Sequence, residues 1–536
     1  MQIKRNHIET GIFIAVYLFA LYLWTLPFQD NQIPYGEFDA ISHWEIADYI
    51  AQTDKTFNQL PGFLDFSYGD DNKFRPHTLW YPPPFHTAMA ITSSFSGDRM
   101  VPIFLTNAIF ATSILISLYF MIRKLYGFLP AILSSFILAF SMRDIFPYLW
   151  GQWPERFAYA FIPLILYCFY MYYTTYSKEG SKPIYLYMMF LLLAINVLIH
   201  PLVFFHSIVG LSILFIFLFI KNKKMPFNIK HIGISLLIFL VLFSIFPYQS
   251  GNVIVSFFQG GEDGKSASLS RLFHWGPNPD DFRGSVSADY FSFSKMHGLW
   301  TLPFLLIGLA ILLIRRDNKD ILMLAWLVSL YLILHRDLIG KATFLHRSLS
   351  GTAHIFVPIT VIGALAIVSF VKLPQTYKSA LKYGMAALLV GLALFYNLPA
   401  AYSTLNQAYD NPFIRLNPSQ IEVSEWLLQN TNENQNVSII GPPAEILQKV
   451  WWMASYSHRT SQFFEGFLKW KIYEENREEI VNYHLLNDYI VVDYSDIGLL
   501  QDKAIMEQWQ LFEQDNLAKH KLLYNKGSIK VYKYEA

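Results

Sequence analysis

The chain has 536 residues, of which 53% are hydrophobic, 17% aromatic and 15% charged. Soluble globular proteins carry roughly 25% charged residues, so this composition indicates a membrane protein. The net charge of +1 gives no electrostatic support for a nucleic-acid partner, and we expect none. The single cysteine, Cys168, excludes an intrachain disulfide framework and a cysteine-based zinc site.

About eleven segments are long and apolar enough to be candidate membrane spans, since a span needs ~20 mostly apolar residues. They are 9–28, 101–122, 127–142, 155–174, 184–199, 201–220, 231–248, 298–314, 320–335, 350–371 and 383–400. We interpret the first as a retained membrane helix and not as a cleaved signal peptide. Basic residues mark the N-terminus and every second connection, so the positive-inside rule places the N-terminus in the cytoplasm and the C-terminus outside.

The composition changes once along the chain, near residue 402. We therefore predict a multi-span catalytic domain over 1–402 and a soluble extracytoplasmic α/β domain over 403–536. The predicted topology puts two long loops, 29–100 and 249–297, on the outer side. The second is rich in glycine and acids, and is interpreted either as a cover for bound substrate or as a linker.

The first outer loop carries the stretch "PYGEFDAISHWEIADYI" from Pro34 to Ile50. If Glu37 and Asp39 lie in an extended segment, their carboxylates point the same way, towards a metal or a proton to be abstracted. Asp39 and His43 share one face of a helix that begins there. The alternative is a solvated acidic loop. Farther along, 84–95 is predicted to form an amphipathic helix at the membrane interface.

Other chemically active side chains recur at the outer ends of the predicted spans. Glu155 follows Gly151 and Pro154 at a helix start, where it is either a second acid of the site or a cap that favours the helix dipole. The remaining candidates are the histidines His200 and His206 and the basic residues Arg336, Lys341 and Arg347. Ionisable groups at this depth are functional candidates, and arginine binds phosphate bidentately. The alternatives are interfacial histidines and contacts to ordinary phospholipid headgroups.

The C-terminal region alternates helix and strand patterns. "NVSIIGPP" and "NDYIVVDYS" are predicted buried strands, and "HKLLYNKGSIKVYKYE" is predicted to be a hairpin around Asn525–Gly527. "SQIEVSEWLLQN" is predicted to begin a helix with Ser419 as its cap. "VWWMASYSHR" (Val450–Arg459) is interpreted as a lid or acceptor-binding edge, with an aromatic core segment and one exposed arginine as the alternative.

Four motifs together resemble the GT-C superfamily of integral-membrane glycosyltransferases. "GEFDAISHW" is similar to the acidic motif of the first external loop, and "WYPPPFH" to the Tyr-Pro-Pro segment later in that loop. "WGQWPERFAYAF" is similar to the second acidic motif, with Glu155 at the position of its acid, and "FLHRSLSGTAHIF" to the late helix whose arginine holds the donor phosphate. The peptide-recognition motif WWDYG of oligosaccharyltransferase appears only as "WWMASY", without the aspartate.

The resemblance implies a GT-C-like fold and sugar transfer from a polyprenyl-phosphate-linked donor at the outer face of the plasma membrane. Asp39, Glu37 and Glu155 would be catalytic, and Arg347, Arg336 and Lys341 would bind the donor phosphate. The expected substrate-binding residues are His43, Tyr81, His86, His200 and His206. Asp39 and Glu155 are the expected ligands of Mg²⁺ or Mn²⁺. The expected partners are the donor, the bilayer and a glycan, lipid or protein acceptor.

Two other functions fit parts of the pattern. A transporter or flippase of a lipid-linked or anionic substrate would also use membrane acids and histidines, but it predicts ionisable residues at the bilayer midplane and an internal repeat. A non-catalytic scaffold in envelope assembly would use the C-terminal domain as its binding module. The scaffold would not require Asp39, Glu155 and Arg347 to converge.

Overall fold

The structure is a computed structural model, and it describes residues 2–29, 38–53, 83–176, 182–226, 228–246, 288–336, 345–372, 374–410, 415–433, 435–441, 447–461, 473–496 and 503–534. The chain divides into two compact units. The helical unit comprises Met1–Leu26, Asn107–Tyr148 and Gln152–Leu405. The mixed unit comprises Pro27–Thr106, Leu149–Gly151 and Asn406–Ala536, and so combines the predicted first outer loop with the C-terminal region.

The first part of the chain forms α-helices from the N-terminus to the end of the predicted spans. They are α1 Gln2–Trp24, α2 Leu26–Gln29, α3 Phe38–Thr53, α4 Pro84–Ser96, α5 Val101–Tyr126, α6 Phe128–Leu138, α7 Met142–Leu149, α8 Trp153–Tyr159, α9 Phe161–Thr175, α10 Ile184–Ile199, α11 Pro201–Asn222, α12 Ile229–Phe243, α13 Ala288–Phe291, α14 Phe293–His297, α15 Thr301–Arg315, α16 Asn318–Leu334, α17 Leu345–Ser348, α18 Gly351–Phe370, α19 Gln375–Leu392 and α20 Leu398–Asp410. A π-helical turn, Ala393–Asn397, joins α19 to α20.

Within the described residues, six helices are long and apolar enough to cross a membrane, and a bent pair would make seven. Three more apolar helices, α10, α12 and α15, have 15 or 16 residues. Helices lie at all eleven predicted segments, so the chain is a multi-pass helical membrane protein. The predicted segment 127–142 corresponds to α6 and the bend that follows it, where α6 and α7 meet at an angle of 44°. The second of these helices occupies what was predicted to be loop.

Two glycines let a pair of helices in the helical unit approach closely. A Cβ at Gly308 of α15 would lie 2.2 Å from the carbonyl oxygen of Ile359 in α18. Across the same contact, a Cβ at Gly363 would lie 2.1 Å from the carbonyl oxygen of Phe304. Small residues at such crossings replace side-chain contact with backbone contact, which is a common way to pack helices in membranes.

The C-terminal part of the mixed unit is a small α/β fold, as predicted. Its elements are α21 Pro418–Asn430, β1 Asn436–Ile440, α22 Leu447–Ser457, β2 Thr460–Ser461, α23 Tyr473–His484, β3 Tyr489–Asp493, α24 Lys503–Phe512, β4 Lys521–Lys526 and β5 Ile529–Lys533. The strand order is β2-β1-β3-β5-β4, with β1 parallel to β2 and β3, and β5 antiparallel to β3 and β4. Both predicted buried strands, β1 and β3, lie at the centre of this sheet.

The predicted hairpin is confirmed, because Gly527 and Ser528 connect β4 and β5 with φ angles of 61° and 64°. Two left-handed central residues are typical of the tight type I′ turn. The predicted cap of α21 was wrong by two residues. Asn417, and not Ser419, accepts the hydrogen bond from the Gln420 N–H, because Pro418 already occupies the first helical turn.

The aromatic segment at 450–459 lies in the core and is not an exposed edge. Trp451 and Trp452 of α22 are 6% and 0% exposed. Trp452 and Tyr456 pack against Trp44 of α3, with ring centroids 5.4 and 5.6 Å away. Arg459, expected to be exposed in the alternative interpretation, is buried as well. These contacts join the C-terminal part of the mixed unit to α3.

Candidate active-site residues in two structural units

Asp39 lies in the first turn of α3 and is partly exposed. The extended conformation considered for Glu37 and Asp39 does not extend to Asp39, since the helix that carries Asp39 and His43 begins at Phe38. An acid in a first turn is stabilised by the helix dipole. Gly151, whose φ is +83°, lies against this turn, and a Cβ there would be 1.9 Å from the backbone nitrogen of Ala40. The close approach of Gly151 therefore helps to determine where α3 begins and where Asp39 lies.

His43 lies one turn after Asp39 and pairs with His86 of α4. The His43 Nδ1 and His86 Nε2 atoms are 2.9 Å apart, and both side chains are buried. One of these nitrogens must donate to the other, so this contact uses one proton between two rings. The pair holds α3 against α4 beside the turn that carries Asp39. A helix is confirmed at 84–95 as α4, Pro84–Ser96, and its place at the membrane interface stays a prediction.

The other end of α3 carries a second, fully buried aspartate. Arg99 donates to Asp48 from Nε and Nη2 over 2.6–3.2 Å, and His458 Nε2 donates to Asp48 Oδ2 over 2.8 Å. Arg99 also lies over the Tyr456 ring, 4.0 Å from its centroid. Burial by itself raises the pKa of Asp48, but the Arg99 charge and the His458 hydrogen bond outweigh it and lower that pKa. Asp48 is thus an ionised structural group.

The helical unit contains a buried cluster of charges around Arg156. Arg156 Nη1 donates to Asp144 Oδ1 over 2.7 Å, and Arg156 Nη2 donates to Glu155 Oε1 over 3.1 Å and to Ser350 Oγ. His354 Nε2 donates to the same Asp144 oxygen over 2.8 Å. All five side chains are at most 4% exposed. Glu155 is therefore part of an ion-pair network, at the helix start that the sequence predicted.

The predicted phosphate-binding residue Arg347 lies on a short turn beside this cluster. Arg347 belongs to α17 and is partly exposed, whereas the next three residues are buried. His206 reaches the same turn, because its Nε2 is 3.0 Å from Ser348 Oγ. His200, which lies between α10 and α11, is also buried. Among the predicted residues, the helical unit thus brings together Glu155, His206 and Arg347.

Some predicted residues were not tested by these contacts. Glu37, Tyr81 and Lys341 lie outside the described residues, as does most of the predicted loop 249–297. Arg336 follows α16 and is partly exposed. Asp39 belongs to the mixed unit, whereas Glu155 and Arg347 belong to the helical unit, so their convergence stays a prediction.

The described residues do not offer a ready metal site. In that part of the chain, no three His, Cys, Asp or Glu side chains are grouped as metal ligands would be. The Glu155 carboxylate instead accepts from Arg156. A cation so close competes with a metal for the same oxygen, so a metal at Glu155 would have to bind beside Arg156 or displace its contact with Oε1.

Several residues of the cluster were not singled out by sequence reasoning. Asp144, Arg156, Ser350 and His354 lie in or beside apolar helices. Ionisable residues inside an apolar segment are themselves a signal of a buried partner or a function, and His354, inside the predicted span 350–371, carried that signal. What the sequence did not contain was their pairing, because 210 positions separate the two residues.

Two kinds of solved membrane enzyme share the fold of this chain. The oligosaccharyltransferase of Archaeoglobus fulgidus, tethered with an acceptor peptide containing an NVT sequon, matches with a TM-score of 0.61 and 12% identity over 100% of this chain and 75% of that chain. ArnT of Cupriavidus metallidurans, bound to undecaprenyl phosphate, matches with a TM-score of 0.61 and 10% identity over 98% of both chains. Apo ArnT matches with a TM-score of 0.59.

These similarities confirm the predicted GT-C-like fold, a multi-span helical part with a small C-terminal sheet. At such low identity they describe the fold and not the reaction. No curated protein matches the sequence. The family of unknown function DUF6541 matches residues 7–437, which is most of the chain. The chain therefore belongs to the DUF6541 family.

Proposed function

We propose that this protein is a membrane glycosyltransferase that moves a sugar from a polyprenyl-phosphate-linked donor to an acceptor. The observation that carries the proposal is a GT-C-like fold along the whole chain, with a partly exposed acid, Asp39, in the first turn of α3. The fold is shared with ArnT bound to undecaprenyl phosphate, which supports a lipid-linked donor. We further propose that the reaction takes place at the outer face of the plasma membrane.

In the proposed reaction, an acceptor hydroxyl oxygen attacks the anomeric carbon of the donor sugar. The bond between that carbon and the phosphate oxygen breaks, and the phosphate leaves on the polyprenyl chain. Asp39 takes the proton of the attacking hydroxyl as general base, and Glu37 assists it. Arg347, with Arg336 and Lys341, neutralises the negative charge that develops on the leaving phosphate. The acceptor is a glycan, a lipid or a protein.

No step is assigned to a metal, and each step above uses the protein's own side chains. A requirement for Mg²⁺ or Mn²⁺ stays a prediction, with Asp39 and Glu155 as its proposed ligands. His43, Tyr81, His86, His200 and His206 stay predicted substrate-binding residues. For the buried pair His43 and His86, the contact observed here is with each other, so their proposed influence on substrate passes through the position of α3.

The test is sugar transfer by the purified full-length protein in lipid, with polyprenyl-phosphate sugars as donors. Wild type and Asp39→Asn are compared with and without EDTA, and melting temperatures are measured in parallel. A carboxylate that acts as base contributes about 10²–10⁴-fold, so Asp39→Asn should lose that much turnover while its melting temperature is unchanged. Turnover by Asp39→Asn at the wild-type rate would exclude Asp39 as the base. Failure to bind any polyprenyl phosphate would contradict the proposed donor.

A further inference from the structure

The turn that carries Arg347 is held from two sides by buried side chains of other helices. On one side, His206 of α11 contacts Ser348 Oγ over 3.0 Å. On the other, Arg156 of α8 donates to Ser350 Oγ, and that hydroxyl donates to the carbonyl oxygen of Arg347 over 2.9 Å. Both serines are fully buried. The backbone of Arg347 is therefore linked through Ser350 to α8, and the side chain of the next residue, Ser348, contacts α11.

Both contacts have supports of their own. The second ring nitrogen of His206, Nδ1, is 3.2 Å from the Tyr159 hydroxyl. The Arg156 guanidinium is held by Asp144 and Glu155 and lies over the Tyr159 ring, 4.6 Å from its centroid. A long side chain with so many partners has little freedom, so it holds what it contacts in one place.

We propose that His206 and Arg156 are positioning residues that hold the turn 345–350, so that Arg347 meets the phosphate of a lipid-linked donor in the correct geometry. The inference rests on the proposed function, because it takes Arg347 as the phosphate-binding residue. Arginine recognises phosphate through a planar pair of N–H groups, and such bidentate contacts depend strongly on orientation. A shift of the turn would weaken the phosphate contact although Arg347 itself is unchanged.

The histidine offers a matched pair of variants. A glutamine amide nitrogen takes the place of Nε2 and can keep the contact with Ser348. An asparagine amide nitrogen takes the place of Nδ1 and can keep only the contact with Tyr159. Ser348→Ala and Ser350→Ala remove each contact from the side of the turn. Ser350→Ala is preferred to a change at Arg156, which would remove the cation shared by the two buried carboxylates, Asp144 and Glu155. The control is Ser207→Ala, a buried serine beside His206 whose hydroxyl bonds to its own helix.

The experiment measures binding of farnesyl phosphate and of farnesol to the full-length protein in detergent. The ratio of the two affinities isolates the phosphate contact, and general loosening of the fold would weaken both ligands alike. We expect wild type to prefer the phosphate and Arg347→Gln to lose that preference. His206→Asn, Ser348→Ala and Ser350→Ala should lower the preference for the phosphate about tenfold. That is about the effect of losing one hydrogen bond between Arg347 and the charged phosphate. His206→Gln and Ser207→Ala should keep it.

The possible failures are distinguishable. If Arg347→Gln removes the preference while His206→Asn and both serine variants keep it, the positioning roles are overturned and the donor site stands. The same inference is overturned if the variants weaken farnesol as much as farnesyl phosphate, or if His206→Gln behaves like His206→Asn. If wild type shows no preference, or Arg347→Gln keeps it, the proposed donor site fails and the positioning roles with it.

Discussion

Two aspartates on the same helix have opposite surroundings. Asp39 begins α3 and is partly exposed, whereas Asp48, nine residues later, is 0% exposed and bound by Arg99 and His458. At the start of α3, the Asp39 side chain can thus meet a substrate. Nine residues later, the buried Asp48 side chain can only stabilise the fold. Both aspartates lie in the same acidic stretch beside a predicted membrane span, so their position in the sequence does not distinguish these two roles. Burial does.

The comparison is tested most strongly by removing the structural charge. Asp48→Asn leaves the largely buried Arg99 without that counter-charge, and removing one partner of a buried ion pair typically costs about 3–5 kcal/mol. Asp39→Asn removes a partly exposed charge and should change the free energy of unfolding by no more than about 0.5 kcal/mol. Thermal unfolding of both variants in the same detergent measures the difference. Equal melting temperatures would show that the two aspartates do not differ as their surroundings suggest.

The placement of Asp39 depends on a glycine. Gly151→Ala would push a methyl group into the backbone of Ala40 and displace the start of α3, and a displacement of about 1 Å can cost about 10²-fold in rate. Gly97→Ala is the matched control, because Gly97 also has a positive φ of +70° but no atom within 4 Å of the added methyl. The rate of sugar transfer is measured for both variants. Similar turnover in the two would mean that the contact with Ala40 does not position Asp39.

A third variant asks whether charge alone holds the buried end of α3. Arg99→Lys keeps the charge but loses the two-pronged contact with Asp48 and the stacking on Tyr456. The melting temperature should fall, by an amount equivalent to about 1–2 kcal/mol, to a value between wild type and Asp48→Asn. A lysine variant as stable as wild type would show that a point charge is sufficient.

The smallest effect expected is a dependence on pH. The pKa of Asp48 is lowered from its ordinary value of 3.8, so the ionised carboxylate stabilises the folded protein at pH values above 3.8. This stabilisation is lost as the pH falls through the lower pKa of the folded state. The melting temperatures of wild type and Asp48→Asn should therefore differ by a constant amount between about pH 5 and 8. The difference should narrow below about pH 4. If the difference in melting temperature narrowed near neutral pH, a group other than Asp48 would be responsible for the pH dependence.

The sequence was most informative where one physical property dominates. Long apolar runs lie at helices because backbone groups in a membrane must be satisfied internally. The hairpin was predictable because Gly527 adopts a left-handed conformation at little cost. Prediction was less accurate where two local signals compete, as at the cap of α21, and where charged residues interrupt the apolar pattern of a helix, as in α7.

The candidate site could be predicted only in part. The sequence indicated Asp39, Glu155, His206 and Arg347 from their place beside apolar segments. It did not indicate that Glu155 would share Arg156 with Asp144. Such pairings depend on which helix faces pack together, and no local pattern contains that information.

The sequence by itself determined that this chain is a multi-pass membrane protein with a small C-terminal α/β region, because hydropathy and strand patterns are local properties. Only the tertiary structure decided which charges are structural. His458 is 410 positions from Asp48, and Ser350 is 194 positions from Arg156. Burial makes an unpaired charge so costly that each must find a partner, and folding alone brings partners from such distances together.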